Sequence, residues 1–204
     1  MLIKSFAVGQ LQTNCYIVSD ENSLECAIID PGAESGRLLN YVEENRLKVR
    51  FIFLTHGHYD HTMAVDEIVQ ETGAKVYINK KDTTKDNPDI PYKFFSDSNV
   101  SYYNEGDRIK VGSLEFTVIE TPGHSAGSVT LMCENALFTG DTLFRDACGR
   151  TDLGGGSMPV LLESLKRLYS LDGDFEVYPG HADSTTLSRE RRFNYYMKYA
   201  VEGN

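Results

Sequence analysis

Three histidines and a carboxylate lie within the seven residues from 55 to 61, which read Thr-His-Gly-His-Tyr-Asp-His. The apolar run at residues 51–54 is typical of a short buried strand, and the apolar residues after the motif recur at helical spacing. Side chains two apart in an extended segment point the same way, so His56 and His58 can converge on one point. Asp60 and His61 lie where the chain winds into a helix, and they can face a second point close by. The spacing therefore predicts a metal site, and this one segment could serve two metal ions.

The other two histidines of the chain, His124 and His181, occur in Pro-Gly-His sequences, and each follows an apolar run of its own. Asp141 follows the apolar run 136–140 in the same manner. A solvated surface loop would account for one isolated histidine, but all five histidines of this chain follow a predicted buried strand. Imidazole and carboxylate ligands at strand ends suit zinc, iron or manganese.

The elements that must position these residues can be predicted from hydrophobic periodicity and turn residues. Strands are predicted at residues 2–8, 15–19, 24–29, 51–54, 75–78, 107–111, 114–120, 129–133, 136–139 and 175–178. Helices are predicted around residues 38–47, at 61–72, from Pro159 onward and at 185–200. The glycine-rich stretch 145–158 is predicted to be a loop that passes near Asp141.

Two further expectations concern residues 80–99 and the side chains of the last helix. Residues 80–99 are predicted to be a loop, alone or with a short helix, which either forms a wall of the substrate cleft or caps the core through Tyr92, Phe94 and Phe95. In the last helix we expect the tyrosines to pack against the rest of the domain and the arginines to be solvated. These residues are Tyr195, Tyr196, Tyr199, Arg189, Arg191 and Arg192.

The composition is that of an ordinary soluble globular protein, with 41% hydrophobic and 25% charged residues among 204. This length predicts a single domain, residues 1–204. The formal net charge of −10 disfavours nucleic acid and an anionic membrane surface as partners. No apolar run approaches the length of a membrane span, and the N-terminal residues do not read as a secretory signal. We therefore expect a cytoplasmic protein with four reduced cysteines, and the sequence leaves its oligomeric state open.

The order and spacing of seven residues resemble those of the metallo-β-lactamase superfamily. They are His56, His58, Asp60, His61, His124, Asp141 and His181. The run Thr-Gly-Asp-Thr-Leu-Phe at 139–144, followed by Cys148-Gly149-Arg150, resembles more narrowly glyoxalase II, the hydroxyacylglutathione hydrolases. The residues His181, Thr185-Thr186-Leu187, Glu190 and Asn194 are similar to a small bacterial branch of that group. The resemblance covers essentially the whole chain.

This resemblance implies an α+β fold: a four-layer αβ/βα sandwich of two mixed β-sheets face to face, with helices on the outside. It also implies two divalent metal ions, Zn²⁺ or alternatively iron or manganese. One ion would be held by His56, His58 and His124, and the other by Asp60, His61 and His181. Asp141 would bridge the two ions, and Asp60 would also be catalytic by orienting the nucleophile. Asp30 and Gly32 would support the site, unless they form only the turn that enters the next helix.

A two-metal centre brings the pKa of a bridging water to about 7 and polarises the carbonyl under attack. A thioester suits such a centre because thiolate leaves without strong protonation, so the expected partner is a small-molecule acyl-thiol. The resemblance places Arg150 beside this substrate as a binding residue. Asp152 and Asp183 occupy positions where glyoxalase II has glutathione-binding tyrosines. From the length of the chain we also expect most of the C-terminal domain that adds basic residues in glyoxalase II to be missing. The sequence therefore does not specify the thiol carrier.

The sequence leaves three alternatives to a thioester hydrolase open. Persulfide dioxygenases share the fold and the run Cys-Gly-Arg-Thr-Asp at 148–152, and they hold a single iron through two histidines and an aspartate. A hydrolase of another small ester or of a lactone would use the same centre. A binding protein with an inactive site would be expected to have lost ligands, and none of the seven is missing here. Metal analysis, together with turnover of lactoylglutathione and oxygen uptake with glutathione persulfide, separates these alternatives.

Overall fold

The computed structural model of the chain describes residues 1–83 and 99–203. Within these residues the first sheet has six strands arranged in chain order. They are β1 (Leu2–Val8), β2 (Thr13–Ser19), β3 (Glu25–Ile29), β4 (Lys48–Phe53), β5 (Lys75–Asn79) and β6 (Val100–Tyr103). The strands β1 to β3 pair in antiparallel fashion as the predicted meander, and β3 to β6 run parallel to one another.

The second sheet also has six strands within the described residues. They are β7 (Arg108–Val111), β8 (Leu114–Glu120), β9 (Val129–Cys133), β10 (Ala136–Gly140), β13 (Glu176–Pro179) and β14 (Thr185–Thr186), and a separate small hairpin is formed by β11 (Leu143–Phe144) and β12 (Ala147–Cys148). The order in the sheet is β14-β13-β10-β9-β8-β7. The β10–β13 pair is parallel and the other pairs are antiparallel, so both sheets are mixed, as predicted.

The helices cover the outer faces of the two sheets. They are α1 (Ser35–Glu44), α2 (Tyr59–Thr62), α3 (Val65–Thr72), α4 (Met158–Tyr169), α5 (Leu187–Phe193) and α6 (Tyr195–Glu202). Buried residues of α1 and α3 pack against the outer face of the first sheet, and residues of α4, α5 and α6 pack on the second sheet. A third buried cluster, which contains Phe53, Phe116 and Phe138, lies between the sheets.

The alternation of side chains in β2 illustrates why these residues form the layers. Cys15 and Ile17 point to the helix-covered side, whereas Tyr16 and Val18 point to the core between the sheets. A strand that is buried on both faces needs apolar residues at successive positions, which is the pattern in the sequence of β2. The predicted four-layer αβ/βα sandwich is confirmed.

The predicted helix over residues 61–72 is wrong in detail, because it is two helices, α2 and α3, with a break between them. The backbone N–H of Ala64 donates to the carbonyl of Pro31 at 3.0 Å, so it does not continue the helical hydrogen bonds of α2. This hydrogen bond connects the segment after His61 to the Asp30-Pro31-Gly32 turn. Hydrophobic periodicity alone does not reveal such a long-range bond.

The predicted helix over residues 185–200 is also divided, since Thr185 and Thr186 form β14 and Asn194 separates α5 from α6. Asn194 has an extended backbone, and its side chain accepts from the N–H of Met197 and donates to the carbonyls of Phe144 and Ala147. The expectation for the arginines is confirmed for Arg192, which is exposed, and only in part for Arg189 and Arg191, which are half-buried. Arg189 pairs with Asp146 at 2.8 Å, and Arg191 donates to the carbonyls of Tyr169, Leu171 and Gly173.

Other expectations are confirmed only in part. Tyr195 is 65% exposed, whereas Tyr196 packs against the helix-covered core. The stretch 145–158 is irregular apart from β12 and Met158, where α4 begins. The four cysteines are free. Residues 80–83 form a single 3₁₀ turn, and the predicted roles of Tyr92, Phe94 and Phe95 lie outside the described residues. In the described part of the chain, no helix combines the length and the apolar character that crossing a bilayer requires.

Candidate metal centre

All seven predicted ligands lie at one edge of the sandwich, just beyond the carboxyl ends of four strands. His56, His58, Asp60 and His61 follow β4, His124 follows β8, Asp141 follows β10 and His181 follows β13. The strands β8, β10 and β13 run in the same direction, so their carboxyl ends meet at one edge of the second sheet. The two sheets are joined there by backbone bonds from Val129 to Thr55 at 2.8 Å and from Asn14 to Gly180 at 2.7 Å.

A first group of three side chains consists of His56, His58 and His124, and their ligand atoms lie within 4.8 Å of one another. All three are at most 4% exposed. Nδ1 of His58 and Nε2 of His124 face each other at 2.9 Å. When neither nitrogen carries a proton, two ring nitrogens at such a spacing can share a cation.

The second group consists of Asp60, His61 and His181, and its ligand atoms also lie within 4.8 Å of one another. Oδ2 of Asp60 lies 3.3 Å from Nε2 of His181 and 3.5 Å from Nε2 of His61. The structure therefore brings together the two sets of three in the same grouping that the sequence resemblance implied.

Asp141 lies between the two groups. Its Oδ1 is 3.5 Å from Nε2 of His61, and its Oδ2 is 3.5 Å from Nε2 of His124 and 3.6 Å from Nε2 of His181. One carboxylate thus faces ligands of both groups.

Hydrogen bonds at Nδ1 fix which ring nitrogen of four histidines is left for a metal. A carbonyl oxygen or an ionised carboxylate can only accept, so Nδ1 of His61, His124 and His181 must carry the proton that it donates. Their acceptors are Asp30 at 3.0 Å, the carbonyl of Arg150 at 2.7 Å and the carbonyl of Leu11 at 3.2 Å. The Thr55 hydroxyl donates to Asp30 and therefore accepts from Nδ1 of His56. In each ring Nε2 is left as the ligand atom, which is the usual arrangement around protein-bound metals.

The residues fit a bound cation. Among the described residues, four buried atoms of the site have no hydrogen-bond partner: Nε2 of His56, His58 and His61, and Oδ1 of Asp141. A buried polar atom without a partner costs on the order of 1–3 kcal/mol, and such atoms are rare in folded proteins. For Nε2 of His56, Nε2 of His61 and Oδ1 of Asp141, the missing partner is explained if divalent cations complete the coordination. His58 faces the first group through Nδ1, so its unpartnered Nε2 is not explained by the same ion.

Burial and charge act differently on the two groups. Burial, with the neighbouring imidazoles, holds the pKa of His56 well below its usual value and lowers that of His58 to about 4, so both rings are neutral and able to bind a metal. Burial also acts to lower the pKa of His61, but Asp141, Asp30 and Asp60 outweigh it and raise the pKa to about 9. The carboxylates therefore create a local preference for positive charge, which a metal ion can satisfy in place of a proton.

Asp30 and Gly32 support the site, so they are more than a turn that enters a helix. Asp30 is 1% exposed and accepts from the backbone and hydroxyl of Thr55 as well as from His61. A Cβ at Gly32 would lie 1.6 Å from the carbonyl oxygen of Asp60, so the chain that carries this ligand packs directly on the glycine.

A cavity of about 570 Å³ opens over the ligands and is lined on its other sides by Leu11, Tyr59, Phe144, Cys148, Arg150 and Leu153. A second cavity of about 410 Å³ shares Leu11, Tyr59 and Asp60 with it and extends along Val8, Ala33 and Met63. Arg150 is thus in the cavity wall, and its contact with the substrate stays a prediction. Its guanidinium also forms a two-pronged ion pair with Asp152, with both contacts at 2.7 Å.

Sequence reasoning missed two side chains that hold the ligands. The Thr13 hydroxyl donates to Oδ2 of Asp60 at 3.1 Å, and the Thr55 hydroxyl connects Asp30 with His56. Thr55 directly precedes His56 and could have been considered for that reason. Thr13 is 47 residues from its partner, and nothing in the sequence signals the contact.

Comparisons with known proteins bear on the fold and the family. The sequence model of the metallo-beta-lactamase superfamily matches residues 8–181. The hydroxyacylglutathione hydrolase GloC of Haemophilus influenzae is 31% identical over 97% of this chain and 98% of its own length. Among solved structures, the BLEG-1 B3 metallo-beta-lactamase is 31% identical, with a TM-score of 0.85 over 96% of this chain and 99% of its own. TTHA1623, solved in a di-iron-bound form, is 35% identical, with a TM-score of 0.83 over 95% and 99%. The chain belongs to the metallo-beta-lactamase superfamily.

Proposed function

We propose that the protein is a metal-dependent thioester hydrolase of the hydroxyacylglutathione hydrolase type, acting on small acyl-thiols. The observation that carries the proposal is the pair of ligand groups that face the same Asp141 beside an open cavity. His56, His58 and His124 would hold one ion, Asp60, His61 and His181 the other, and Asp141 both. The ions would be Zn²⁺, or alternatively iron or manganese. When bound, two such ions bring the pKa of a shared water to about 7 and polarise the carbonyl that is attacked.

Asp60 is the side chain best suited to orient the attacking water. It lines the cavity, and the Thr13 hydroxyl fixes its Oδ2. Although burial opposes ionisation, the hydrogen bond with His181 and the charge of His61 keep the pKa of Asp60 well below its usual value. Asp60 is therefore an acceptor at neutral pH and can hold a water through one of its protons.

Two of the remaining cavity residues, Cys148 and Arg150, favour a leaving group that departs without a proton. Burial raises the pKa of the Cys148 thiol to about 11, and an arginine such as Arg150 keeps its proton at all ordinary pH values. Within the described residues, neither of these two cavity side chains would serve as a general acid at neutral pH. A thiolate needs no such acid, whereas the alkoxide of an ordinary ester does.

The second cavity supports an apolar acyl group. Its rim carries Leu11, Tyr59 and Met63, which are 52%, 50% and 59% exposed. Large apolar side chains clustered at a cavity beside a reactive site are typical of ligand-binding surfaces. Since this cavity shares Asp60 with the first, an acyl chain placed there would have its carbonyl beside the ligands.

The described wall of the first cavity provides one cationic side chain, Arg150, and its partner Asp152 already offsets that charge. Glutathione carries two carboxylates. This charge balance supports a thiol carrier with fewer negative charges than glutathione. The identity of the thiol carrier is to be determined by measurement.

The hydrolase is proposed over the single-iron dioxygenase because both ligand groups are complete. A site for one iron needs three protein ligands and open positions, and the second group of three would then have no purpose.

Steady-state turnover of a substrate panel tests the proposal. The panel contains lactoylglutathione, acetyl, butyryl and hexanoyl thioesters of N-acetylcysteamine, a γ-lactone and a β-lactam, with oxygen uptake measured in parallel on glutathione persulfide. We expect thioester hydrolysis with kcat/KM rising along the acyl series, and loss of that rise in Met63→Ser. Hydrolysis restricted to the lactone or the β-lactam, or oxygen uptake without thioester hydrolysis, would contradict the proposal.

A further inference from the structure

Asp82 is a fully buried carboxylate outside the ligand set. It lies in the 3₁₀ turn Lys80–Thr83 that follows β5, and its side chain is 0% exposed. Both of its oxygens accept hydrogen bonds. Oδ2 accepts from the backbone N–H of Gly57 at 2.9 Å and from the hydroxyl of Ser125 at 2.6 Å, and Oδ1 accepts from the backbone N–H of Gly127 at 2.7 Å.

The donors lie in the two segments that carry the first ligand group. Gly57 separates His56 from His58, and Ser125 directly follows His124. These segments come from different sheets, so Asp82 is a bridge between them at the point where their histidines converge. The fit is close, because a Cβ at Gly127 would lie 2.6 Å from Oδ1 of Asp82.

The second ligand group is held by other residues. Thr13 fixes Asp60, Asp30 fixes His61, and the carbonyl of Leu11 fixes His181. Within the described residues, the hydrogen bonds of Asp82 come from Gly57, Ser125 and Gly127, which adjoin ligands of the first group, whereas Asp60 and His61 lie three and four residues beyond Gly57. A change at Asp82 should therefore affect the two groups unequally.

We propose that Asp82 is a positioning residue for the first ligand group, holding the His56–His58 segment and His124 at the spacing that binds a metal ion. The inference rests on the proposed assignment of the ligands. Its physical basis is that metal affinity depends on ligands already fixed in place, and outer residues that orient ligands typically change affinity by about 10- to 100-fold.

The chain offers a matched control in Asp20. This buried carboxylate also accepts from two backbone N–H groups, those of Asn22 and Ser113, and from one hydroxyl, that of Ser23. None of its donors lies in a ligand-bearing segment. Asp20→Asn therefore reports the general effect of removing such a carboxylate, and Asp82→Asn reports that effect plus any effect on the first group.

The experiment measures Zn²⁺ dissociation constants by chelator competition in two single-site backgrounds. His181→Ala leaves the first group intact, and His58→Ala leaves the second. We expect Asp82→Asn to weaken Zn²⁺ binding about 10- to 100-fold in the His181→Ala background and by less than about twofold in the His58→Ala background. Asp20→Asn should leave both constants unchanged, while both substitutions lower the melting temperature of the metal-free protein.

Equal weakening in the two backgrounds, or no weakening in the first, would overturn the inference. If Asp82→Asn does not fold, Ser125→Ala removes one of the three hydrogen bonds and should give a smaller change with the same selectivity. A parent protein that binds one ion instead of two contradicts the proposed function. The role of Asp82 is still decided in that case by the dissociation constant of the first group.

Discussion

The buried Oδ1 of Asp141 lies 3.5 Å from Nε2 of His61, and within the described chain neither atom has a hydrogen-bond partner. Two facing polar atoms without partners are unfavourable unless something between them satisfies both. The other oxygen of Asp141 lies near His124 and His181. This placement makes Asp141 the proposed bridge between the two metal ions.

A comparison of two alanine variants tests the bridge. Asp141→Ala removes a ligand from both ions, whereas Asp60→Ala removes one only from the second group. We expect Asp141→Ala to retain less metal than Asp60→Ala after identical dialysis. We also expect it to lose at least about 100-fold in kcat/KM, because about 100-fold is already the upper range for residues that only orient the ligands of a metal site. Equal metal content in both variants and the native protein would show that Asp141 does not bridge.

Gly32 gives a test of ligand placement that leaves every ligand in the chain. The Cβ of Gly32→Ala would meet the carbonyl oxygen of Asp60 at 1.6 Å, so the Asp60 backbone must move. A displacement of about 1 Å at a reactive centre can cost on the order of 100-fold in rate, and we expect a loss of that size in kcat. Gly36→Ala is the control, because its Cβ would enter open space at the start of α1. Similar activity in both variants would exclude a supporting role for Gly32.

Arg150 has two interpretations that kinetics can separate. If its guanidinium binds the substrate, Arg150→Ala should raise KM about 10- to 100-fold with little change in kcat, since a charge-assisted hydrogen bond contributes about 1.5–3 kcal/mol. If it serves only the loop through Asp152, KM should stay constant while the melting temperature falls. That fall should be small, because exposed ion pairs contribute about 1 kcal/mol or less.

Arg145→Ala is the matched control for this variant. Arg145 pairs with Asp183 in the same region of the fold but is absent from the cavity wall. Its removal should change neither KM nor kcat. An equal rise of KM in both variants would assign the effect to general charge and leave Arg150 without a specific role.

Asp20 predicts how stability depends on pH. Hydrogen bonds from the backbone of Ser113 and Asn22 and from Ser23 lower the pKa of its carboxyl group to about 2, against about 3.9 in an unfolded chain. Because the folded-state pKa is the lower one, this contribution to stability is present above about pH 4 and is lost as the pH falls towards 2.

The free energy of unfolding of Asp20→Asn should therefore be lower than that of the native protein at pH 7, and the difference should shrink between about pH 4 and 2. Urea unfolding at several pH values measures it. Asp172→Asn changes an exposed carboxylate and should follow the native curve. A constant difference for Asp20→Asn across this range would contradict the prediction.

The sequence predicted most strands of the fold because the strands buried on both faces, such as β2 and β10, are continuous apolar runs. The ligands were predicted because every histidine follows such a run, and strand ends gather at one edge of a sheet. The breaks in the helices were not predictable, since each depends on a bond to a distant segment. Ala64 donates to Pro31, and Asn194 reaches the carbonyls of Phe144 and Ala147.

The supporting residues of the site show the same limit. Asp82 and Thr13 carry no local pattern, and their partners lie between 25 and 47 residues away in the chain. Their roles depend on which segments the fold brings together. Residues that bind metal have restricted types and can be found from composition and spacing. Residues that orient them need only one donor or acceptor in the right place, which many residue types provide.

The metal content of the purified protein tests the central claim most directly. Two complete ligand groups around Asp141 predict about two divalent ions per chain, with thioester hydrolysis that is lost on chelation and returns when the ions are restored. Elemental analysis by mass spectrometry, on the same sample used for turnover of butyryl-N-acetylcysteamine, measures both. A content of one iron per chain, with oxygen uptake on glutathione persulfide and no thioester hydrolysis, would contradict the claim.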